Sequence, residues 1–226
     1  MTIGLSSYAT LIFDCDGVVL DSNRVKTEAF HAAALPWGEG AAKALVAHHV
    51  ANGGVSRYAK FAYFLDHILP NHAPGGALPG HDGPDLQALL TSYAEYVRDG
   101  LTTCAVAEGL AELRAATSNA RWMIVSGGDQ TELREIFAAR GLTDHFDSGI
   151  FGSPDTKDAI LSRELAAGTI QQPVLFLGDS RLDHKVAANY GIDFVFISAW
   201  SEWEEGQHLA QTGAFEETPS VADLLN

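Results

Sequence analysis

Two aspartates separated by one residue, Asp14 and Asp16, follow a short apolar run and precede a glycine. The run has the composition expected of a buried strand in a parallel sheet. Ligands of open α/β sheets bind beyond the carboxyl ends of the strands, which is where Asp14 would lie. Each carboxylate raises the free energy of charging the other. A bound cation, a shared proton or catalytic work is therefore expected at this pair.

Polar side chains also follow three later segments that read as strands. They are Ser126 before Gly127, Lys157 after the segment 149–151, and Asp179 with Asp183 after the segment 173–177. With the first pair they supply a carboxylate nucleophile, a proton donor, a hydroxyl, an ammonium group and metal-binding acids. Phosphoryl transfer needs this set, because it requires an attacking group, a divalent ion and donors for the phosphoryl oxygens.

Strand and helix signals alternate through the second half of the chain. The strand segments, including one near the N-terminus, are 8–14, 122–126, 149–151, 173–177 and 194–197. Such alternation predicts a parallel sheet with helices on both faces. We therefore predict an α/β fold with a Rossmann-like sheet of about five strands.

The segment 20–103 breaks this alternation. It contains helical patterns at 24–35, 39–50, 56–69 and 84–97 but no clear strand. An all-helical cap is therefore predicted after the first strand. The predicted domains are an α/β core over 1–19 and 104–226 and a helical cap over 20–103.

The order of these motifs resembles the haloacid dehalogenase superfamily, in its helical-cap phosphatase and β-phosphoglucomutase-like branch. The run Asp14-Cys15-Asp16-Gly17-Val18 resembles the first motif of the family, DxDGV. Ser126 matches the second motif, Lys157 the third, and Gly178-Asp179-x-x-x-Asp183 the fourth. The resemblance covers nearly the whole chain. One departure is Asp158, which stands where the family usually has a proline after the lysine.

The resemblance implies catalytic roles for four residues. Asp14 would attack phosphorus and form an aspartyl-phosphate. Asp16 would protonate the leaving oxygen and then help to activate water, because one group can serve as acid and then as base. Ser126 and the backbone of Gly127 would bind the phosphoryl oxygens. Lys157 would stabilise the nucleophile and the transferring group by its charge; the alternative is a solvated lysine at a helix start.

The same resemblance implies a Mg²⁺ site. The side chains of Asp14 and Asp179 and the backbone carbonyl of Asp16 would be ligands, and Asp183 would be a further ligand or would support the others. Carboxylate and carbonyl oxygens suit this hard cation. Asp183 could instead cap the helix that begins nearby.

The cap holds one candidate for substrate binding. Arg57 ends a Gly-Val-Ser-Arg run that resembles the specificity loop of β-phosphoglucomutase. It would bind a phosphate, carboxylate or hydroxyl of the substrate, or it would be a solvated arginine in the first turn of a helix. Lys26, at the start of the first cap helix, is expected to be solvated.

The predicted activity is a Mg²⁺-dependent phosphatase that acts on a small phosphorylated metabolite, preferably a sugar or polyol phosphate. The alternative is a phosphomutase like β-phosphoglucomutase, and a non-catalytic binding module is a third class. Asp16 argues against a dehalogenase, which has no alcohol leaving group to protonate. A phosphonoacetaldehyde hydrolase needs a cap lysine as Schiff base, and nothing in the sequence singles out Lys26, Lys43 or Lys60.

Composition limits the partners. The 226 residues include 14 basic and 29 acidic ones, for a formal charge of −15. Nucleic acids and anionic membranes are unfavourable partners for such a chain. No apolar stretch approaches the ~20 residues of a membrane span, no signal peptide is recognised, and the two cysteines suggest no disulfide framework. We expect a cytoplasmic monomer or homodimer with a small phosphorylated substrate.

Overall fold

A computed structural model describes residues 4–72 and 83–225. Its centre is a parallel sheet with the strand order β3-β2-β1-β4-β5-β6. The strands are β1 Thr10–Phe13, β2 Arg121–Asp129, β3 Ile150–Ser153, β4 Val174–Gly178, β5 Asp193–Ile197 and β6 Glu216–Thr218. The central strand β1 is buried along its whole length. Its residues alternate between two apolar clusters, with Leu11 and Phe13 in one and Ile12 in the other. Both faces of the sheet are therefore covered.

Ten α-helices are found in the described residues. Those between β1 and β2 are α1 Asn23–Ala34, α2 Glu39–Ala51, α3 Arg57–Tyr63, α4 Leu69–His72, α5 Leu86–Thr103 and α6 Leu110–Ala116. Those after β2 are α7 Gln130–Ala139, α8 Lys157–Ala166, α9 Arg181–Asn189 and α10 Glu204–Gln211. A π-helical turn, Phe64–Ile68, joins α3 to α4.

The Rossmann-like α/β fold is confirmed, with one strand more than the sequence suggested. The sixth strand, Glu216–Thr218, pairs with β5 at the edge of the sheet. It has only three residues, and the two glutamates are exposed. A strand this short and polar carries no alternating or continuous apolar signal, so the sequence pattern did not reveal it.

The predicted cap corresponds to helices α1–α5, although residues 73–82 of it lie outside the described residues. The two connections to the sheet run side by side. Leu20 forms an antiparallel bridge with Val106, and the Asp21 amide donates to the Ala105 carbonyl at 2.9 Å. No strand occurs in the described part of 20–103. The domain boundaries themselves stay a prediction.

No helix in the described ranges is both long enough and apolar enough to cross a membrane.

Candidate active site

A cavity of about 360 Å³ separates the carboxyl ends of the central strands from the cap helices. Its floor includes Asp14, Asp16, Gly127 and Asp179, which come from three different strand ends. A parallel sheet places those ends at one edge, which explains why residues distant in sequence meet here. The structure thus brings these four predicted site residues to one cavity.

Asp14 lies directly after β1 and forms a buried ion pair with Lys157. The Lys157 Nζ is 2.7 Å from Asp14 Oδ2, and the Cys15 amide donates to Asp14 Oδ1 at 2.7 Å. Burial is the largest influence on Asp14 and, opposed by Lys157, raises its pKa to about 7. Lys157 begins α8 but is only 2% exposed. The alternative of a solvated lysine was therefore wrong, and the catalytic role of Lys157 stays a prediction.

Asp183 both caps α9 and holds Lys157. Its Oδ2 accepts hydrogen bonds from the Ser180 amide and hydroxyl at 3.1 and 2.6 Å. Its Oδ1 is paired with Lys157 Nζ. The capping alternative considered for this residue is thus confirmed, and the same carboxylate also contacts the lysine that pairs with Asp14. A role of Asp183 at the metal stays a prediction.

Three buried carboxylates gather where a cation is expected. One oxygen each from Asp14, Asp179 and Asp183 lies within 4.8 Å of the others. Burial, followed by the charges of Asp14 and Asp183, raises the pKa of Asp179 well above its usual value. Such crowding is relieved by a divalent ion, and oxygen donors of this kind suit Mg²⁺. The residues present therefore fit the predicted metal.

Gly17 shapes the metal-binding side of the cavity. It adopts φ +73°, and a Cβ at this position would overlap the Asp179 carboxylate and lie 2.5 Å from Asn23 Nδ2. Only glycine fits both this conformation and this space. Asn23 donates to Asp179 Oδ2 at 2.7 Å and to the Trp200 carbonyl at 2.8 Å. The asparagine thus orients one predicted ligand, a role that the sequence did not indicate.

Asp16 points towards the cap and is not a member of the three-carboxylate group. Its Oδ2 is 2.6 Å from Lys26 Nζ, and Ser22 Oγ donates to its Oδ1 at 2.6 Å. Burial raises the pKa of Asp16, but the charge and hydrogen bond of Lys26 and the bond from Ser22 outweigh it, and the pKa is lowered. The metal contact predicted for the Asp16 backbone carbonyl stays a prediction.

The expectation that Lys26 is solvated was wrong. Lys26 is 8% exposed and lies on the buried face of α1 with Ala29, Phe30 and Ala33. These positions have the spacing of one helical face. The spacing of Lys26 from these apolar residues was therefore the sequence signal for its burial. The charge of the lysine favoured the opposite interpretation.

Ser126 is fully buried and lies just behind the cavity wall. Its Oγ accepts from the Gly128 amide at 3.0 Å, which leaves the hydroxyl proton available to a phosphoryl oxygen. Gly127 and Gly128 line the cavity themselves. The predicted roles of Ser126 and Gly127 are compatible with these positions and stay predictions.

Arg57 lines the cavity and joins the cap to the core. Its guanidinium lies 3.0 Å from Glu132 and 3.8 Å from Asp129, both near the start of α7. The neighbouring Tyr58 hydroxyl donates to Asp129 at 2.6 Å. The solvated alternative for Arg57 was wrong, because its side chain is only 12% exposed. Direct binding of substrate by Arg57 stays a prediction.

The cap wall contains a further lysine that sequence reasoning did not single out. Lys60 is 2% exposed and lines the cavity, as does His49. Lys43, by contrast, has a side chain that is 71% exposed. The interpretation that none of the three cap lysines stands out is therefore corrected for Lys26 and Lys60. Lys60 follows Arg57 by three residues on the same helix, which was the only sequence signal for its position.

Comparisons with known proteins agree with this fold. The family model described as haloacid dehalogenase-like hydrolase matches residues 8–191. A search of curated proteins gave no significant match. Among solved structures, the chain is similar to a predicted phosphoglycolate phosphatase from Haemophilus somnus 129PT, with 16% identity, 98% of each chain covered and a TM-score of 0.73. It is also similar to CbbY from Rhodobacter sphaeroides in complex with phosphate, with 17% identity, 96% of each chain covered and a TM-score of 0.68.

Proposed function

The chain belongs to the haloacid dehalogenase-like hydrolases, and on that premise we propose that it is a Mg²⁺-dependent phosphatase acting on a small phosphorylated metabolite. The observation that carries the proposal is the buried contact between Lys157 and Asp14, with Asp179 and Asp183 beside it. Asp14 and Asp179 line the cavity floor, and Lys157 and Asp183 are buried against them. This set is suited to phosphoryl transfer through an enzyme carboxylate.

Asp14 is the proposed nucleophile. One of its oxygens forms a bond to phosphorus as the bond between phosphorus and the leaving oxygen breaks. Water then attacks phosphorus, releases inorganic phosphate and restores the carboxylate. Lys157, 2.7 Å from Asp14 Oδ2, orients the attacking group and balances the charge that gathers on the phosphoryl oxygens.

Asp16 is the proposed proton carrier. In the substrate-free protein, its contacts with Lys26 and Ser22 favour the ionised form. That form is ready to accept the proton of the attacking water in the second step. For the first step, Asp16 takes up a proton from solvent water and delivers it to the leaving oxygen. Lys26 therefore acts as a positioning residue that holds the carboxylate towards the leaving group.

The metal would be held by Asp14 and Asp179, with Asp183 close by. When bound, Mg²⁺ neutralises phosphoryl oxygens and polarises phosphorus. The helical cap excludes water from the cavity and confines the substrate to a small molecule, because the free space is about 360 Å³. A sugar or polyol phosphate suits this space. A phosphomutase would share the same floor, but no contact of the described residues favours it.

The first prediction concerns the nucleophile. Asp14→Asn should reduce turnover of para-nitrophenyl phosphate in Mg²⁺ by at least ~1,000-fold, because an amide cannot attack phosphorus. Asp158→Asn is the matched control, since Asp158 is exposed in the first turn of α8, and it should keep near-normal activity. Mass spectrometry of the quenched wild-type enzyme should find a phosphoryl adduct that is absent from the variant. Normal turnover by Asp14→Asn would remove the assignment.

A further inference from the structure

The cap wall of the cavity carries two buried cations, Lys26 and Lys60, and a third, Arg57, whose side chain is 12% exposed. Carboxylates neutralise Lys26 and Arg57. Lys26 pairs with Asp16 at 2.6 Å, and Arg57 pairs with Glu132 at 3.0 Å. Lys60 has no carboxylate partner among the residues that the structure describes. A buried charge without a counterion is costly, so such a group normally serves a ligand or a reaction.

The contacts of Lys60 leave donor capacity unused. Its Nζ lies 2.7 Å from His49 Nδ1 and 5.5 Å from the centre of the Phe30 ring. An ammonium group has three N–H donors, and only one is directed at the histidine. The remaining donors have no protein acceptor in the described structure, although the residue lines the cavity.

His49 fixes the direction of Lys60. Burial, assisted by the charge of Lys60, lowers the pKa of His49 to about 2, so the imidazole is neutral. Because the ammonium form of Lys60 can only donate, Nδ1 accepts from it and the proton resides on Nε2, a buried atom with no partner among the described residues. The ring also packs on Phe30, with centroids 4.5 Å apart. The histidine is thus a rigid acceptor that aims the ammonium group.

Four charged groups and one neutral histidine, each from a different element, act on Lys60. His49 comes from α2, Lys26 from α1, Asp16 from the loop after β1, Glu202 from the segment after β5, and Lys157 from α8. Burial and then the charge of Lys26 lower the pKa of Lys60 to about 7, against the opposing effect of Asp16 and Glu202. An anion bound at this wall would favour the charged form of Lys60.

We propose that Lys60 is a specificity-determining residue that binds a carboxylate on the leaving group of the substrate. The proposal rests on the phosphatase function above and narrows its substrate class to a phosphorylated hydroxy acid, which includes sugar acids among polyol phosphates. A carboxylate fits better than a second phosphate. One ammonium group balances a single negative charge, and the other two cap cations are already paired with carboxylates. Glu202, which lines the same cavity, would repel a dianion.

Matched substrates test this assignment. Phosphoglycerate and glycerol phosphate share a carbon skeleton and differ by a carboxylate in place of a hydroxymethyl group. In Mg²⁺, the wild-type enzyme should favour the acid by roughly 10- to 100-fold in kcat/KM, through a lower KM, as expected for a charge-assisted hydrogen bond away from the reacting atoms. Fructose bisphosphate tests the alternative of a second phosphate.

Lys60→Met keeps the length of the side chain and removes its charge. It should abolish the preference for the acid, because kcat/KM for the acid should fall much more than kcat/KM for glycerol phosphate. The control is Lys43→Met on the exposed face of α2, which should keep the preference. Circular dichroism should show Lys60→Met melting at or above the wild-type temperature, because an apolar side chain replaces an unpaired buried amine.

The pH dependence gives a second readout. The ratio of kcat/KM for the acid to that for glycerol phosphate cancels titrations common to both substrates. Lys60 is charged below a pKa of about 7, so the ratio should be constant at low pH. Above pH 7 it should fall by up to about tenfold per pH unit until the 10- to 100-fold preference is lost, and it should then be constant again. In Lys60→Met the ratio should stay flat over the whole range.

Several results would overturn the inference. The first is a preference of the wild-type enzyme for glycerol phosphate or for the bisphosphate. The second is an unchanged preference for the acid in Lys60→Met. The third is an equal loss of kcat/KM for both substrates in folded Lys60→Met. Borohydride trapping of a carbonyl substrate on Lys60 would show a covalent role instead. Failure of the phosphatase function has a different signature, because the wild-type enzyme would then hydrolyse neither matched ester nor para-nitrophenyl phosphate.

Discussion

The floor and the cap wall of the cavity have opposite charge imbalances. On the floor, the three carboxylates of Asp14, Asp179 and Asp183 face the single ammonium group of Lys157. On the wall, the described residues include the buried cations Lys26 and Lys60 and the partly buried Arg57, and no described carboxylate forms an ion pair with Lys60. The floor therefore favours an added cation, whereas the wall favours an added anion.

This difference in charge distinguishes the proposed site of the reaction, on the floor, from the proposed site of substrate recognition, on the wall. Asp14 and Asp179 directly follow the paired strands β1 and β4, so the distance between them is set by strand pairing. Wall residues lie on helices and depend on how those helices pack against one another. The proposed metal and nucleophile thus belong to the part of the molecule with the least freedom, and the proposed specificity belongs to the part that can vary without disturbing the reaction.

The largest expected effect comes from removing the cation of the floor. Lys157→Met leaves Asp14 and Asp183 buried beside each other without a counterion. We expect a loss of about 3–5 kcal/mol in the free energy of unfolding, measured by urea titration at pH 8 in a chelator. Lys185→Met, at an exposed position of α9, is the control and should change stability by less than about 0.5 kcal/mol.

The same variant has a pH signature. The pKa of Asp14 is already raised to about 7 by burial, and loss of Lys157 raises it further. A carboxyl whose folded pKa exceeds its unfolded pKa destabilises the fold at high pH, and that penalty is relieved as pH falls through the folded pKa. The stability gap to wild type should therefore narrow between pH 8 and pH 6. A gap that does not change with pH would contradict the charge imbalance on the floor.

A smaller effect is expected from the binding of Mg²⁺ at the floor. At a Mg²⁺ concentration about 100-fold above its Kd, binding should stabilise the protein by about 2.7 kcal/mol, equivalent to roughly 5–10 °C in Tm for a chain of this size. Asp179→Asn should lose this response. Its Tm in chelator should stay close to wild type, because the raised pKa of Asp179 already favours its neutral form. Equal Mg²⁺ stabilisation of both proteins would place the ion elsewhere.

The smallest effect concerns a hydrogen bond between the cap and the α/β core. Tyr58→Phe removes the 2.6 Å hydrogen bond to Asp129. Because this contact is only partly buried, we expect at most about 1 kcal/mol, equivalent to a roughly fivefold faster hydrogen exchange of the loop over 52–58. Tyr96→Phe is the control, since Tyr96 is 58% exposed on α5. Exchange that rises equally in both variants would show no specific role for this contact.

The floor could be predicted from sequence because each of its residues directly follows a recognisable strand or turn. Asp14 after β1 and Asp179 after β4 needed only the rule that parallel strands end together. The cap wall could not be predicted from sequence, because the pairing of Lys60 with His49 depends on the packing of α2 against α3. The partner of Arg57, Glu132, is 75 positions away on a core helix, and no local pattern connects the two.

Two glycines allow the cap and the core to approach closely. A Cβ on Gly127 would overlap the carbonyl oxygen of Gly54, so the backbone of the cap loop rests directly on the end of β2. Any side chain at position 127 would therefore push the cap loop away from the sheet and widen the cavity. The height of the chamber above the sheet is thus set at a residue that has no side chain.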